Sequence, residues 1–421
     1  MKIAVIGLGY VGLPILKAFS KKYYVVGIDV NKHKIDNFVN LQSDKNSNFF
    51  TSNVNFSVSF EALRDIDIVI VAVPTPIDNN KNPDLTCLKN ATSSLAKYIK
   101  KGSTIIYEST VYPGTTEEIC IPILETESNM ICGRDFFVGY SPERINVGDS
   151  VHTFENIDKI VAGIDKKTSS LIKEVYSSIL KANVIEVSSI KVAEASKIIE
   201  NSQRDINIAF MNEISKIFKL MNIDTYEVLE AASTKWNFLN FKPGLVGGHC
   251  ISVDPYYLAQ KAIDLHYIPK VILSGRNIND SMGNYVAKSL MKIFEDNKMT
   301  SHNSKVLILG VTFKENVSDI RNSRVVDIIT DLEKNGCIVY AEDYNVDKND
   351  FWNMYNKKLY KNIKNVDVVI IATKHKKYCN FTIDKIKSFY ANNNKPKIFF
   401  DLYGIYNMEM LKKEGIIVWR F

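Results

Sequence analysis

Apolar residues in this chain fall into short unbroken runs that stop at glycine, proline or a polar residue and give way to amphipathic stretches. Ile3–Ile6 leads into Gly7-Leu8-Gly9-Tyr10-Val11-Gly12 and the helical pattern Leu13–Lys21. Tyr24–Ile28 stops at Asp29, Asp67–Val73 at Pro74-Thr75-Pro76, and Ser103–Tyr107 at Glu108-Ser109-Thr110. Strands that are apolar at consecutive positions are buried on both faces, and strands alternating with helices pair in parallel. This half therefore predicts a parallel sheet covered on both sides. The same order returns downstream, where Lys305–Gly310, Cys337–Ala341 (followed by Glu342-Asp343), Asp367–Thr373 and Lys397–Asp401 answer the four N-terminal runs in turn. Between the halves, Val192–Met221 carries no glycine or proline and predicts one long helix, capped by Ser188 or Ser189 and ended by Asn222. At ~1.5 Å per residue it would extend roughly 45 Å, long enough to pack against a twin from a second copy. A second helical stretch is predicted over Pro269–Asp296. The expected architecture is α/β, with two doubly wound parallel-sheet domains (1–188 and 299–421) joined by a central helical domain (189–298).

Size agrees with that division, because 421 residues exceed what a single compact core organises. A hydrophobic content of 46% against 24% charged residues is that of an ordinary globular protein. The formal charge of +6 comes without any dense lysine–arginine block, which argues against nucleic acid as a partner. No apolar stretch approaches the ~18 residues that a membrane helix needs. The N-terminus opens on a strand rather than on a signal peptide. The six cysteines are scattered without CxxC or Cys/His metal spacing, which points to reduced thiols, a cytoplasmic location and no metal site.

Chemistry enters first at Gly7-x-Gly9-x-x-Gly12. The first glycine makes the turn out of the strand, the second lets backbone approach a pyrophosphate, and the third lets helix and strand pack closely. The helix N-terminus then offers free N–H groups to the phosphates. Asp29, at the end of the second strand, would accept from the adenosine ribose hydroxyls and repel a 2′-phosphate, favouring NAD over NADP. The domain is thus Rossmann-like. Its downstream counterpart keeps only Gly310 of the three glycines, so a different nucleotide-containing ligand is expected there.

The second signal is Cys250 in Gly247-Gly248-His249-Cys250-Ile251-Ser252-Val253-Asp254-Pro255. A thiol on a glycine-bared turn can trap an aldehyde as a thiohemiacetal, whose tetrahedral carbon can give up a second hydride. The thioester so formed is hydrolysed to an acid. His249 is either a polar wall or a packed imidazole. Lys197 and Asn201, at i and i+4 of the long helix, share a face and could hold an alkoxide, although such a pair is more often mere surface. Glu143 follows the apolar run Phe136–Gly139, and Thr110 sits at another strand's end. Together they could position a water, and a turn-capping role for Glu143 fits equally well.

These segments resemble the UDP-sugar 6-dehydrogenases over nearly the whole chain. The likeness is carried by residues 7–12, Val-Pro-Thr-Pro (73–76), Glu-Ser-Thr-Val-Tyr-Pro-Gly (108–114), Ser-Pro-Glu-Arg (141–144), Glu-Ala-Ser-Lys-Ile-Ile-Glu-Asn (194–201), 247–255 and Phe-Lys-Glu-Asn-Val-Ser-Asp-Ile-Arg-Asn-Ser (313–323). The resemblance implies Cys250 as nucleophile, Asp254 as its aid in moving water and protons, Lys197 and Asn201 as oxyanion donors, and Glu143 and Thr110 as holders of the water. It implies NAD contacts from Gly7, Gly9, Tyr10, Val11, Gly12, Asp29, Lys34, Pro74, Thr75, Ser109, Thr110 and Arg321, with two NAD consumed per product. For the UDP-sugar it implies Glu143, Arg144, Lys197, Asn201, Lys242, Gly247, Gly248, His249 and Lys314, in a homodimer or higher oligomer. His249 and the run Lys235–Leu239 resemble the branch that oxidises UDP-N-acetylglucosamine or UDP-N-acetylgalactosamine for surface polysaccharides. UDP-glucose is the alternative substrate, and a one-step dehydrogenase that does not use Cys250 is a further rival. Lysine at 242 and at 34, where arginine is expected, keeps charge and loses the bidentate fork.

Overall fold

The computed structural model describes residues 1–44, 49–78, 80–145 and 151–421. Contacts divide the chain into two units: Met1–Glu200 with Tyr256–Ile268, and Asn201–Pro255 with Pro269–Phe421. Among the described residues the first holds eight strands: β1 (Lys2–Ile6), β2 (Tyr24–Ile28), β3 (Val54–Ser57), β4 (Ile68–Val71), β5 (Thr104–Tyr107), β6 (Phe137–Tyr140), β7 (Lys159–Gly163) and β8 (Val184–Glu186). They lie in the order β3-β2-β1-β4-β5-β6-β7-β8. The strand order reverses between β1 and β4, which opens a crevice at their C-terminal ends. Pairing is parallel throughout except between β6 and β7. That one reversal departs from the expected all-parallel sheet. It sits where Gly139 opposes Gly163, and a Cβ on Gly139 would stand 2.7 Å from Ala162 O.

The second unit holds β9 (Lys305–Leu309), β10 (Ile338–Glu342), β11 (Val368–Ile371), β12 (Lys397–Asp401) and β13 (Ile416–Trp419), in the order β10-β9-β11-β12-β13 and all parallel. Alternation along its strands separates two cores. Val306, Ile308, Val368, Ile370, Ile398 and Phe400 pack with Met282, Val286, Leu290, Ile328 and Leu332. Leu307, Leu309, Val369, Ile371 and Phe399 pack with Tyr378, Ile386 and Leu411 on the other face. Both sheets thus belong to the two-domain α/β architecture that the apolar runs predict.

The repeat extends to single hydrogen bonds. Gly7 and Gly310 both adopt φ +89° and donate to the last carbonyl of the neighbouring strand, Ile28 and Glu342, each at 2.8 Å. Leu8 N donates to Asp29 at 3.0 Å, and Val311 N donates to Asp343 at 2.8 Å. Asn31 N and Asn345 N bond the other oxygen of those same carboxylates, each at 2.9 Å.

The long helix runs Ile190–Leu220, with Ser189 Oγ accepting from Val192 N at 3.3 Å and Asn222 at φ +56° beyond its end. The stretch predicted as helical over Pro269–Asp296 is two helices, Lys270–Asp280 and Met282–Asp296, parted at Ser281. Just past it, Gly283 lies against the helix Val325–Lys334, where a Cβ would meet Arg324 O at 2.9 Å.

Candidate active site

In the first unit the three glycines of the β1 turn have separate reasons to lack a side chain. A Cβ on Gly7 would meet Ala72 O at 2.6 Å, and one on Gly12 would meet Gly7 O at 1.9 Å. Gly9 has nothing within 4 Å, which leaves room for the backbone to face a pyrophosphate at the start of the helix Gly12–Ser20. Tyr10 is exposed and Val11 half-buried on the same turn. Asp29 is buried at the end of β2. Its Oδ1 accepts from Asn31 N, and its Oδ2 from Leu8 N and from Lys34 Nζ at 2.7 Å. Burial pushes its carboxyl up, but Lys34 and the two N–H donors outweigh that and hold it below the usual range. A carboxylate kept ionised in this way is a ready acceptor for ribose hydroxyls. Pro74 and Thr75 follow β4, and Ser109 after β5 donates to Val73 O at 2.7 Å. The residues present therefore fit a dinucleotide along the β1–β4 crevice.

The same unit holds a buried acid–base cluster at the ends of β5, β6 and β7. Glu143 follows β6 and accepts from Ile145 N. Burial raises its carboxyl above the usual range, opposed first by the charge of Lys197 and next by that of Lys159. Lys159 on β7 pairs with Glu108 and donates to Pro142 O at 3.0 Å, while Tyr176 donates to the other Glu108 oxygen. Thr110 is half-buried after β5. Arg144 pairs with Glu200 at 2.7 Å and donates to Asp158 O at 2.8 Å. Glu194, one turn before Lys197, accepts from Gly114 N at 2.6 Å and Thr116 N at 2.9 Å, and burial pushes its carboxyl up to about 7. Glu108, Lys159, Tyr176 and Glu194 were not singled out from sequence. The one local signal was that Glu108 and Glu194 each open a segment carrying a candidate residue.

In the second unit, Gly248 at φ +85° begins a turn that exposes Cys250 and leads into the helix Asp254–Asp264. Asp254 N and Val253 N both donate to Cys250 O, at 2.9 and 3.1 Å. A Cβ on Gly248 would stand 2.6 Å from the Phe313 ring, and one on Gly247 would stand 2.5 Å from Asn322 O. Ser252 Oγ and Asn322 Nδ2 both donate to Gly248 O, at 2.5 and 3.0 Å. Asn201 donates its amide to the buried carboxylate of Asp254 at 2.6 Å. Asn212 holds Gly244 through both its N–H and its carbonyl, at 2.8 and 3.0 Å, and so fixes the approach to the turn. His249 is half-buried, and its imidazole is held below its usual value by burial and the charge of Arg321. Arg321 itself forks onto Asp319, Nε to Oδ1 at 2.9 Å and Nη2 to Oδ2 at 2.5 Å. Lys314 is half-buried after β9, and Lys242 is exposed. The candidate residues thus divide between the units. The dinucleotide set (Arg321 excepted), Glu143, Arg144 and Lys197 belong to the first, and Asn201, Lys242, residues 247–250, Asp254, Lys314 and Arg321 to the second.

Among the described residues no cluster could hold a metal ion, and no helix is long and apolar enough to cross a membrane. Models of the UDP-glucose/GDP-mannose dehydrogenase family match in order: the NAD binding domain over residues 1–180, the central domain over 191–281, and the UDP binding domain over 307–408. The chain is 48% identical over 416 residues to Protein CapL of Staphylococcus aureus, covering 97% of each. It is 46% identical over 396 residues to a UDP-N-acetyl-D-glucosamine 6-dehydrogenase of Salmonella typhi, covering 92% of this chain and 93% of that one. A solved UDP-D-ManNAc dehydrogenase of Pyrococcus horikoshii matches with a TM-score of 0.87 at 26% identity, over 100% of this chain and 99% of that one.

Proposed function

The chain belongs to the UDP-glucose/GDP-mannose dehydrogenase family, and from that premise we propose that it oxidises C6 of a UDP-N-acetylhexosamine, UDP-GlcNAc or UDP-GalNAc, from alcohol to carboxylate. When bound, NAD accepts one hydride in each of two oxidations, so two are consumed per sugar. The observation that carries this reading is an exposed thiol on a glycine turn in a chain that also has a dinucleotide crevice. A reductase that only interconverts alcohol and aldehyde has no need of that thiol.

The proposed roles follow from chemistry. Cys250 adds to the aldehyde carbon, and Asp254, held by Asn201, takes up and returns the proton. The Lys197 ammonium stabilises the alkoxide. Glu143, with its carboxyl raised by burial, is suited to take a proton from the water that cleaves the thioester, with Thr110 orienting that water. Lys314, in the part of the chain matched by the UDP binding domain, meets the nucleotide diphosphate. We further propose that the protein acts in the cytoplasm, in surface-polysaccharide synthesis, as a homodimer.

A panel of UDP-hexoses incubated with NAD tests the reading. Two NADH per UDP-N-acetylhexosamine, with the uronate as product, are expected. One NADH per sugar, or faster turnover of UDP-glucose, would sink it.

A further inference from the structure

In the second unit, one buried histidine ties three strand ends to the loop that carries Lys314. His375, after β11, is 0% exposed, and every polar atom of its ring is engaged. Nε2 lies 3.0 Å from Asp343 Oδ2 and 3.2 Å from Thr312 Oγ1. Nδ1 accepts from Asn316 N at 2.8 Å and lies 3.1 Å from Asn345 Nδ2. The backbone N–H of Asn316 can only donate, so Nδ1 carries a lone pair and the proton sits on Nε2, pointing at the carboxylate. The Tyr344 and Tyr378 rings meet the imidazole edge-on at 5.3 and 5.6 Å.

The pair has a counterpart in the first unit that shows what it replaces. Asp343 holds the place of Asp29, with the same two backbone donors. On Asp29 the third donor is the half-exposed Lys34, whereas on Asp343 it is the buried His375. The acidic residue that accepts a ribose in the first unit has become an internal anchor in the second. What it anchors is the loop 312–316. Thr312 Oγ1 donates to Lys314 O at 2.7 Å, Thr373 Oγ1 donates to Thr312 O at 2.9 Å, and Asn316 is held at φ +59°. The Phe313 side chain at the head of this loop lies on the Gly247–Gly248 turn that leads to Cys250.

We propose that His375 is a positioning residue for the UDP-sugar. Oriented by Asp343, it fixes Asn316 and so sets both Lys314 and the Phe313 face on which the cysteine turn rests. The proposal rests on the reading of Lys314 as a UDP-sugar contact. It adds a residue that touches no substrate and acts through that loop.

Two near-isosteric substitutions separate the halves of the imidazole. His375→Asn can keep an acceptor at the Nδ1 position for Asn316 N–H, whereas His375→Gln reaches Asp343 and leaves that N–H unpaired. Calorimetric titration with UDP on the full chain, and KM for the UDP-sugar and for NAD, are the readouts. Because the part-buried Asn316 N–H then loses the partner that holds the loop, H375Q is expected to weaken UDP binding and raise the UDP-sugar KM by about tenfold. H375N should stay near the parent, and the KM for NAD should be unchanged in both. Equal UDP affinity in the two variants, or loss of NAD and UDP affinity together, overturns the proposal. A parent protein that binds no UDP would instead remove the functional reading beneath it.

Discussion

Cys250 owes its exposure to two neighbours that have no side chain. Gly248 holds φ +85° with the Phe313 ring where a Cβ would go, and Gly247 faces Asn322 O in the same way. Any larger residue at 248 must both strain the backbone and push the aromatic ring away. The sulfur is what the proposed chemistry needs, since a serine hydroxyl is a weaker nucleophile at neutral pH and would give a hemiacetal and then an ester, which hydrolyses less readily than a thioester. Cys250→Ser should therefore leave NAD and UDP binding intact and cut uronate formation by at least about 10³-fold, as removal of a nucleophile does elsewhere. Product analysis after prolonged incubation checks this, and acid formed at near-parent rates would remove Cys250 from the reaction. Glu143 shows the opposite use of environment: its own burial raises the carboxyl, and two buried lysines hold that rise in check.

At the scale of elements, Glu194 joins the long helix to the loop after β5 by accepting from Gly114 N and Thr116 N. Its carboxyl, pushed up to about 7 by burial, sits well above an ordinary glutamate, so the folded protein holds this proton more tightly than the unfolded chain. The stabilisation that follows is complete below pH ~4.5 and is lost as pH climbs through ~7, at a rate of at most about 1.4 kcal/mol per pH unit. Glu194→Gln removes the titration. Urea midpoints measured from pH 4.5 to 8 should show the parent losing stability relative to E194Q across that window, and a pH-independent difference would refute the assignment. The helix itself, and the strands buried on both faces, were legible in the sequence because each leaves a local, uninterrupted signature. β3, β7, β8 and β13 were not: β3 and β8 are short and partly polar, and β7 and β13 lie outside the strand–turn–helix runs that recur in both halves. Nor was the break at Ser281, beside which Gly283 packs closely against Arg324, far along the chain. The site divides in the same manner. Gly7-x-Gly9-x-x-Gly12 and the Cys250 turn announce themselves within a few residues. Lys159 meets Glu108 across 51 residues and His375 meets Thr312 across 63, distances over which no spacing rule operates.

Over the whole molecule, the long helix Ile190–Leu220 buries polar groups among apolar ones on its inner side and carries further apolar residues outside. Its buried polar positions include Glu194, Lys197, Asn201, Asp205, Asn212 and Ser215, and most of these bond to groups already described or to one another. Asp205, for example, takes Arg276 at 2.5 Å and Asn279 at 2.7 Å. Its outward positions include Val192, Ile199, Phe210, Ile217 and Leu220, spaced 7, 11, 7 and 3 residues apart, all multiples or sums of the helical three-and-four step. Ile199 is 61% exposed, Phe210 54% and Leu220 87%. A helix that already buries Ile190, Ala193, Ile198, Ala209 and Met211 on its inner side still leaves an apolar stripe of this length outside, and such a stripe calls for a cover. A second copy of the same helix would supply one with matching spacing, since a twofold axis brings identical stripes together. Sedimentation equilibrium should give twice the chain mass for the parent protein. Phe210→Arg, which places a charge in the middle of the stripe and touches none of the inward groups, should shift it to the single-chain mass while a folded far-ultraviolet spectrum is retained. A parent protein that sediments as one chain, or a dimer indifferent to arginine at 210, would leave the stripe without that partner.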